Sequence, residues 1–233
     1  MNCFFIYRMP YFSLLLRSLT RFMFWKTFNS IVVPLSILAP VIIGAYKYKI
    51  LQSSFKIIWF YLLITAVINT GATITGRVFH INNSPITHVY TAIEMIMLIW
   101  FYRKLLEIKK SGNWFLILQI AFVLACIINA VFFQSIYTYC SYTRSIESMI
   151  CMLFSLNYFA KIASSDKSIL KDAGFYFNAG IFLYFSGAFM LFIFSNLITN
   201  LSLSDFLVVW SIHAALVLLM YLFFTFAFIL CKK

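Results

Sequence analysis

Apolar runs long enough to cross a membrane alternate with short polar links along most of this chain of 233 residues. A helix rises about 1.5 Å per residue, so about 20 apolar residues cover the roughly 30 Å hydrocarbon core of a bilayer. The pattern therefore predicts an all-α membrane protein, a bundle of seven transmembrane helices occupying residues 29–233. The predicted spans are Asn29–Tyr46, Ile57–Thr75, Ile86–Tyr102, Trp114–Phe133, Ser145–Ile162, Gly174–Leu197 and Phe206–Leu230.

Residues 1–28 follow a different pattern, because cations interrupt the apolar residues too often for a span. These cations are Arg8, Arg17, Arg21 and Lys26. In a helix that follows Pro10, Arg17 and Arg21 share one face and leucine and phenylalanine lie opposite. The segment is thus predicted to be a basic amphipathic helix lying in the membrane interface. Two alternatives are translation from Met9 or Met23, and an eighth span that places the N-terminus in the cytoplasm.

The composition indicates that lipid surrounds the chain. Hydrophobic residues make up 64% of it and charged residues 10%, against about 25% in soluble domains. Lys and Arg total 18 and Asp and Glu total 6, a balance that in a soluble protein would suggest nucleic acid. Here the cations fall between apolar runs, where they mark topology and contact anionic headgroups. We therefore expect a lipid bilayer and no nucleic acid as the partner.

The positions of the cations also predict an orientation. Alternate links and the C-terminal tail hold twelve of them, whereas the opposite links hold only Arg77 and Arg144. Cytoplasmic links carry the excess of Lys and Arg, so the first span should start outside and the C-terminus should lie in the cytoplasm. The twelve are Lys47, Lys49, Lys56, Arg103, Lys104, Lys109, Lys110, Lys161, Lys167, Lys171, Lys232 and Lys233.

Glu94 is the main candidate for a functional residue, because a carboxylate within a span costs about 2.5–3.5 kcal/mol on insertion scales. It lies about eight residues, or about 12 Å, into the third span. Thr87, Tyr90 and Thr91 precede it at helical spacing and share its face, so this polar stripe should point into the bundle. The functional hypothesis is a pocket open to the outside, in which Glu94 meets His213 or Arg144. The structural alternative is a neutral or hydrogen-bonded Glu94 that fixes helix packing.

Other polar residues fall on the same predicted outer side or at comparable depth. They complete the set of candidate ligand-binding residues, which comprises Glu94, His213, Arg144, Glu147, His88, Asn69, Asn129 and Tyr90. His88 lies about 120° around the helix from Glu94, so the two need not share a pocket.

The sequence gives little support for catalysis, a cofactor or a metal. His88, Glu94 and His213 could supply three donors, but no paired-histidine motif is present. The five cysteines show no C-x-x-C spacing, and there is no G-x-S-x-G motif. The last two spans lack a lysine that could form a Schiff base with retinal. No cofactor and no metal site are therefore predicted.

Two stretches resemble a known group of proteins. They are His88-Val-Tyr-Thr-Ala-Ile-Glu94 and Asp172-Ala-Gly-Phe-Tyr-Phe-Asn-Ala-Gly-Ile-Phe-Leu-Tyr-Phe-Ser186. Together they are similar to small seven-helix integral membrane proteins of Bacteroidota-type bacteria, which have no established activity. The resemblance implies a bacterial inner membrane. The chain is also comparable with the adiponectin-receptor and ceramidase superfamily of seven-helix zinc hydrolases, but Val217 stands where their second histidine would follow His213.

Three functions follow, in order of preference. The first is a non-enzymatic membrane sensor or partner subunit with an outward-facing polar pocket around Glu94 and a basic inner face that could dock a cytoplasmic protein. The second is a transporter or channel component, which predicts a polar path past Glu94 toward Asn157 and Asn178. The third is an intramembrane metal-dependent hydrolase that uses His213.

Overall fold

Seven long helices form the computed structural model, which describes residues 23–108, 113–164, 168–198 and 201–232, apart from the side chains of Asn196 and Ser204. All seven are long and apolar enough to cross a membrane, which confirms the seven long apolar helices predicted for residues 29–233. The predicted amphipathic helix of residues 1–28 lies mostly outside the described residues, and Met23 to Phe28 belong to the first long helix. The helices are α1 (Met23–Ile50), α2 (Ser53–Arg77), α3 (Ser84–Leu105), α4 (Trp114–Phe133), α5 (Ser141–Ala163), α6 (Ala173–Ile193) and α7 (Leu203–Leu230).

Helix α1 is irregular where its two prolines predict a kink. A π-helical turn covers Phe28–Val32 just before Pro34, and the regular hydrogen bonding breaks again at Ile37 before Pro40. Proline has no N–H to donate to the carbonyl four residues earlier, so the backbone there must rearrange. A second π-helical turn, Asn129–Phe133, ends α4.

Helices α1, α2, α3 and α7 begin earlier than the sequence predicts, and the ends of α5 and α6 differ as well. Helix α5 begins at Ser141, four residues before the predicted start, so Arg144 lies inside the helix rather than beside it. Helix α6 ends at Ile193, and a separate helical turn, Ser195–Ile198, follows the break.

Helix α6 lies at the centre of the bundle and packs extensively against both α5 and α7. Two of its glycines, Gly180 and Gly187, face α7 and allow the close approach that their spacing predicts. Helix α1 packs more extensively on α7 than on its sequence neighbour α2. Aromatic rings from α2, α3, α6 and α7 meet in the core, namely Phe55, Phe101, Phe177, Phe224 and Phe228.

The outer surface is apolar, as expected for helices surrounded by lipid. Large side chains such as Val67, Phe132 and Phe133 are exposed, whereas Glu94, Arg144 and Glu147 are buried. This distribution, with apolar groups outside and charges inside, is consistent with a multi-pass membrane protein.

Candidate functional site

Three ionisable side chains from α3 and α5 meet inside the bundle, and we call Glu94, Arg144 and Glu147 the buried charge cluster. Glu94 is 1% exposed, Arg144 7% and Glu147 0%. Glu94 lies near the middle of α3, whereas Arg144 and Glu147 are three residues apart near the start of α5. That spacing places both α5 side chains on the face that packs against α3.

One guanidinium nitrogen connects the two carboxylates. Arg144 Nη1 donates to Glu94 Oε2 in a short contact and to Glu147 Oε2 at 3.0 Å. The other oxygen of Glu94, Oε1, accepts hydrogen bonds from the Tyr61 hydroxyl at 2.6 Å and the Tyr90 hydroxyl at 2.9 Å. Thr65 on α2 lies 3.1 Å from the Tyr90 hydroxyl. Helix α2 is thus tied to the same carboxylate.

The guanidinium also lies between two aromatic rings. Its central carbon is 5.2 Å from the centre of the Tyr90 ring and 5.3 Å from that of Phe192 on α6. Contacts of this kind stabilise a cation that has lost its water. Four helices, α2, α3, α5 and α6, therefore hold the cluster in place.

The polar groups of the cluster are not fully satisfied within the described residues. Arg144 Nε and Glu147 Oε1 are both buried and have no hydrogen-bond partner. When all three groups are ionised, two carboxylates face one guanidinium, so the cluster carries one excess negative charge. Buried polar groups in proteins are normally paired, so a further proton, cation or polar ligand would complete this site.

The predicted contact between Glu94 and Arg144 is present, but Glu94 and His213 are not hydrogen-bonded. His213 on α7 instead pairs its Nε2 with the Tyr184 hydroxyl at 3.2 Å. Its ring packs against Phe192 and Trp210, so it lies one layer of side chains away from the guanidinium. Tyr139, in the link before α5, packs on the same two rings, and burial raises the pKa of its hydroxyl.

The other sequence candidates are more dispersed. Tyr90 contacts the buried charge cluster through its hydrogen bond to Glu94. Asn129 is buried, but it donates to Gln134 Oε1 at 3.1 Å. His88 contacts the carbonyl of Thr138 at 3.0 Å, and Asn69 is exposed.

Sequence reasoning did not identify Tyr61, Thr65 or Phe192 as neighbours of the cluster. Tyr61 and Thr65 are four residues apart on α2, and this spacing was a signal that could have been used. Phe192 had no such signal, because 28 phenylalanines are spread along the chain and its position depends on how α6 is rotated.

A stripe of small polar groups continues along α5 from the cluster toward the other end of the bundle. Ser148, Cys151 and Ser155 are fully buried, and Tyr158 follows them on the same face. The hydroxyls of Tyr102 and Ser155 are 2.6 Å apart. Tyr102 also donates to Asn178 Oδ1 at 2.9 Å. The path predicted toward Asn178 thus has buried polar groups along it, but Asn157 is exposed and lies outside the stripe.

In the part of the chain that the structure describes, no three His, Cys, Asp or Glu side chains are grouped so that they could hold a metal ion. The contacts of the cluster are ion pairs and hydrogen bonds. No family model, curated protein or solved structure significantly matches this chain.

Proposed function

We propose that this protein is a non-enzymatic, multi-pass membrane sensor or partner subunit whose responsive element is the buried charge cluster. The observation that carries the proposal is the incomplete pairing of the cluster, with Arg144 Nε and Glu147 Oε1 buried and unpartnered. A buried ion pair gives little net stability compared with apolar packing, and ionisable groups within a membrane are usually functional. Location in a bacterial inner membrane, with the cluster near the outer side, is part of this proposal.

The contacts of α5 suggest how a change at the cluster would reach the opposite face. At one end of α5, Arg144 binds Glu94 on α3. At the other end, Lys161 Nζ donates to the carbonyls of Leu105 and Leu106, where α3 ends, at 3.4 and 3.0 Å. A ligand that altered the Arg144 contact in an outward-facing pocket would shift α5 against α3. The shift would alter the hydrogen bonds of Lys161 on the basic face, where a partner protein could dock.

The test replaces one charge of the cluster while keeping its shape. We expect Glu147→Gln to stay folded in detergent, with a melting temperature close to wild type, and to increase hydrogen–deuterium exchange at residues 101–108 and 158–164. Asp205→Asn is the matched control, because Asp205 is an exposed acid near the start of α7, outside both the cluster and the measured segments. Unchanged exchange at the distant end in a folded Glu147→Gln protein would contradict the proposal and favour a purely structural cluster.

A transporter or channel component is the second candidate, and the polar stripe along α5 is the observation that favours it. The stripe connects the cluster to Tyr158, whose hydroxyl donates to Asp172 at 3.3 Å near the opposite end. Proton relays in membranes use chains of this kind. Proton flux in vesicles carrying the purified protein would distinguish this function from a sensor, which conducts nothing.

A further inference from the structure

A cavity of about 790 Å³ opens at the end of the bundle opposite to the charge cluster, and we call it the inner cavity. Its walls come from six places in the chain: the end of α1, the start of α2, the ends of α3, α5 and α7, and the link that leads into α6. This volume lies within the range of about 300–1,000 Å³ that is typical of ligand sites. The orientation rule places the inner cavity on the cytoplasmic side.

Three lysines from separate elements line the cavity without a hydrogen-bond or ion-pair partner among the described residues. They are Lys104 on α3, Lys171 before α6 and Lys232 after α7. A fourth lysine and two acids also line the wall. Lys161 binds Glu107 at 3.3 Å, and Asp172 accepts from the backbone N–H of Gly174 at 2.7 Å and caps α6. Four lysines thus face two acids in the described part of the wall, an excess of two positive charges.

The start of α2 adds to the positive potential. Gln52 precedes this helix of 25 residues without a side-chain capping bond, and Gln52, Ser54 and Phe55 line the cavity. The first N–H groups of a helix have no partner within it, and with the helix dipole they favour an anion. This end of α2 therefore supports the anion preference that the lysines create.

We propose that the inner cavity binds a phosphate-bearing anion. Lysines are compact charges that suit phosphate oxygens, and the side chains of Phe55, Leu105 and Ile162 give the wall an apolar part for the rest of the ligand. The phosphate could belong to a soluble molecule or to a lipid headgroup, and the chemistry of recognition is the same. This inference does not depend on a response at the charge cluster, since the three lysines lie at the other end of the bundle. The proposed readout residues Leu105 and Lys161 also line the inner cavity.

The experiment uses the full chain in nanodiscs and measures melting temperature and calorimetric binding. In the first arm, the lipid is zwitterionic and inorganic pyrophosphate is titrated. In the second arm, the lipid contains phosphatidylglycerol and no pyrophosphate is added. Stabilisation in the first arm identifies a soluble anion as the ligand, and stabilisation in the second alone identifies a lipid headgroup.

The variants distinguish the loss of lysines that line the cavity from a general loss of positive charge at the same end of the bundle. We expect Lys104→Gln with Lys171→Gln to weaken binding by about tenfold or more, since two charge-assisted contacts are lost. Lys49→Gln with Arg103→Gln removes the same charge at the same end but outside the cavity, and should change binding by less than about twofold. Should the double variant fail to fold, Lys232→Gln alone tests the same prediction. Absence of binding in both arms, or an equal loss in the control, would overturn the proposal.

Discussion

At the residue scale, Arg144 has the most demanding role in the molecule. Its Nη1 atom donates to two carboxylates, and its guanidinium lies between two rings. Removing it would leave Glu94 and Glu147 facing each other without a counterion in an environment that excludes water. A single buried charge that loses its partner is costly, so stability should depend strongly on this side chain.

We therefore expect Arg144→Met to lower the free energy of unfolding by about 3–5 kcal/mol, because methionine fills similar space and leaves two buried acids unpaired. Chemical denaturation in detergent would measure the loss. Arg77→Met is the control, since Arg77 is exposed at the end of α2 and should change stability little. Adding Glu94→Leu and Glu147→Leu to Arg144→Met should recover much of the loss. Equal stability of Arg144→Met and wild type would show that the acids are not held by this arginine.

The contact between Glu94 and Arg144 could be predicted because hydropathy gives the depth of each residue, and both fall on the predicted outer side. The tyrosine contacts could not be predicted, because depth says nothing about how a helix is rotated about its own axis. Tyr61 reaches Glu94 only because the packing of α2 turns that face inward. His213 has a suitable depth, but its Nε2 is hydrogen-bonded to the Tyr184 hydroxyl and not to Glu94.

At the scale of the helices, small residues decide how closely α6 and α7 approach. A Cβ atom added at Gly180 would lie 3.0 Å from Phe223 Cβ and 3.3 Å from the backbone oxygen of Met220. Neither atom is the free end of a flexible side chain, so the helices themselves would have to separate. The bounds of α6 and α7 could be estimated from apolar runs, but the break after Ile193 could not. The polar pair Ser195-Asn196 follows it, yet the similar pair Asn69-Thr70 lies within α2 without breaking that helix.

Gly180→Ala should consequently destabilise the protein by about 1–3 kcal/mol through overpacking. Gly71→Ala is the matched control, since a Cβ atom at Gly71 meets nothing within 4 Å. There, alanine should stabilise α2 by about 0.5–1 kcal/mol, because glycine is a poor helix former. Melting temperatures of the two variants in detergent should move in opposite directions. A Gly180→Ala protein as stable as wild type would show that α6 and α7 are not in tight contact.

At the scale of the whole molecule, the cations of the links predict which face is cytoplasmic. The number of spans could be predicted because few other structures accommodate apolar runs of this length. The orientation depends on charge alone and requires its own measurement. Ser164 and Ser135 lie in links at opposite ends of the bundle, and both are exposed.

We expect a cysteine at Ser135, in a cysteine-free background, to react in intact cells with a maleimide that cannot cross the membrane. A cysteine at Ser164 should react only after the membrane is opened, because the positive-inside rule places it in the cytoplasm. Labelling of both sites after permeabilisation is the control for accessibility. The reverse pattern of labelling would invert the orientation, and with it the side from which each site is reached.

The contact between the first and last helices has a consequence for biosynthesis. Helix α1 rests mainly on α7, Asn29 Nδ2 donates to Ser211 at 2.9 Å, and Lys47 binds the carbonyls of Ile229 and Cys231. Ribosomes make α1 first and α7 last, so α1 enters the bilayer long before its principal neighbour exists. Until α7 has been translated and inserted, the face of α1 that contacts α7 must remain without that partner in the nascent bundle.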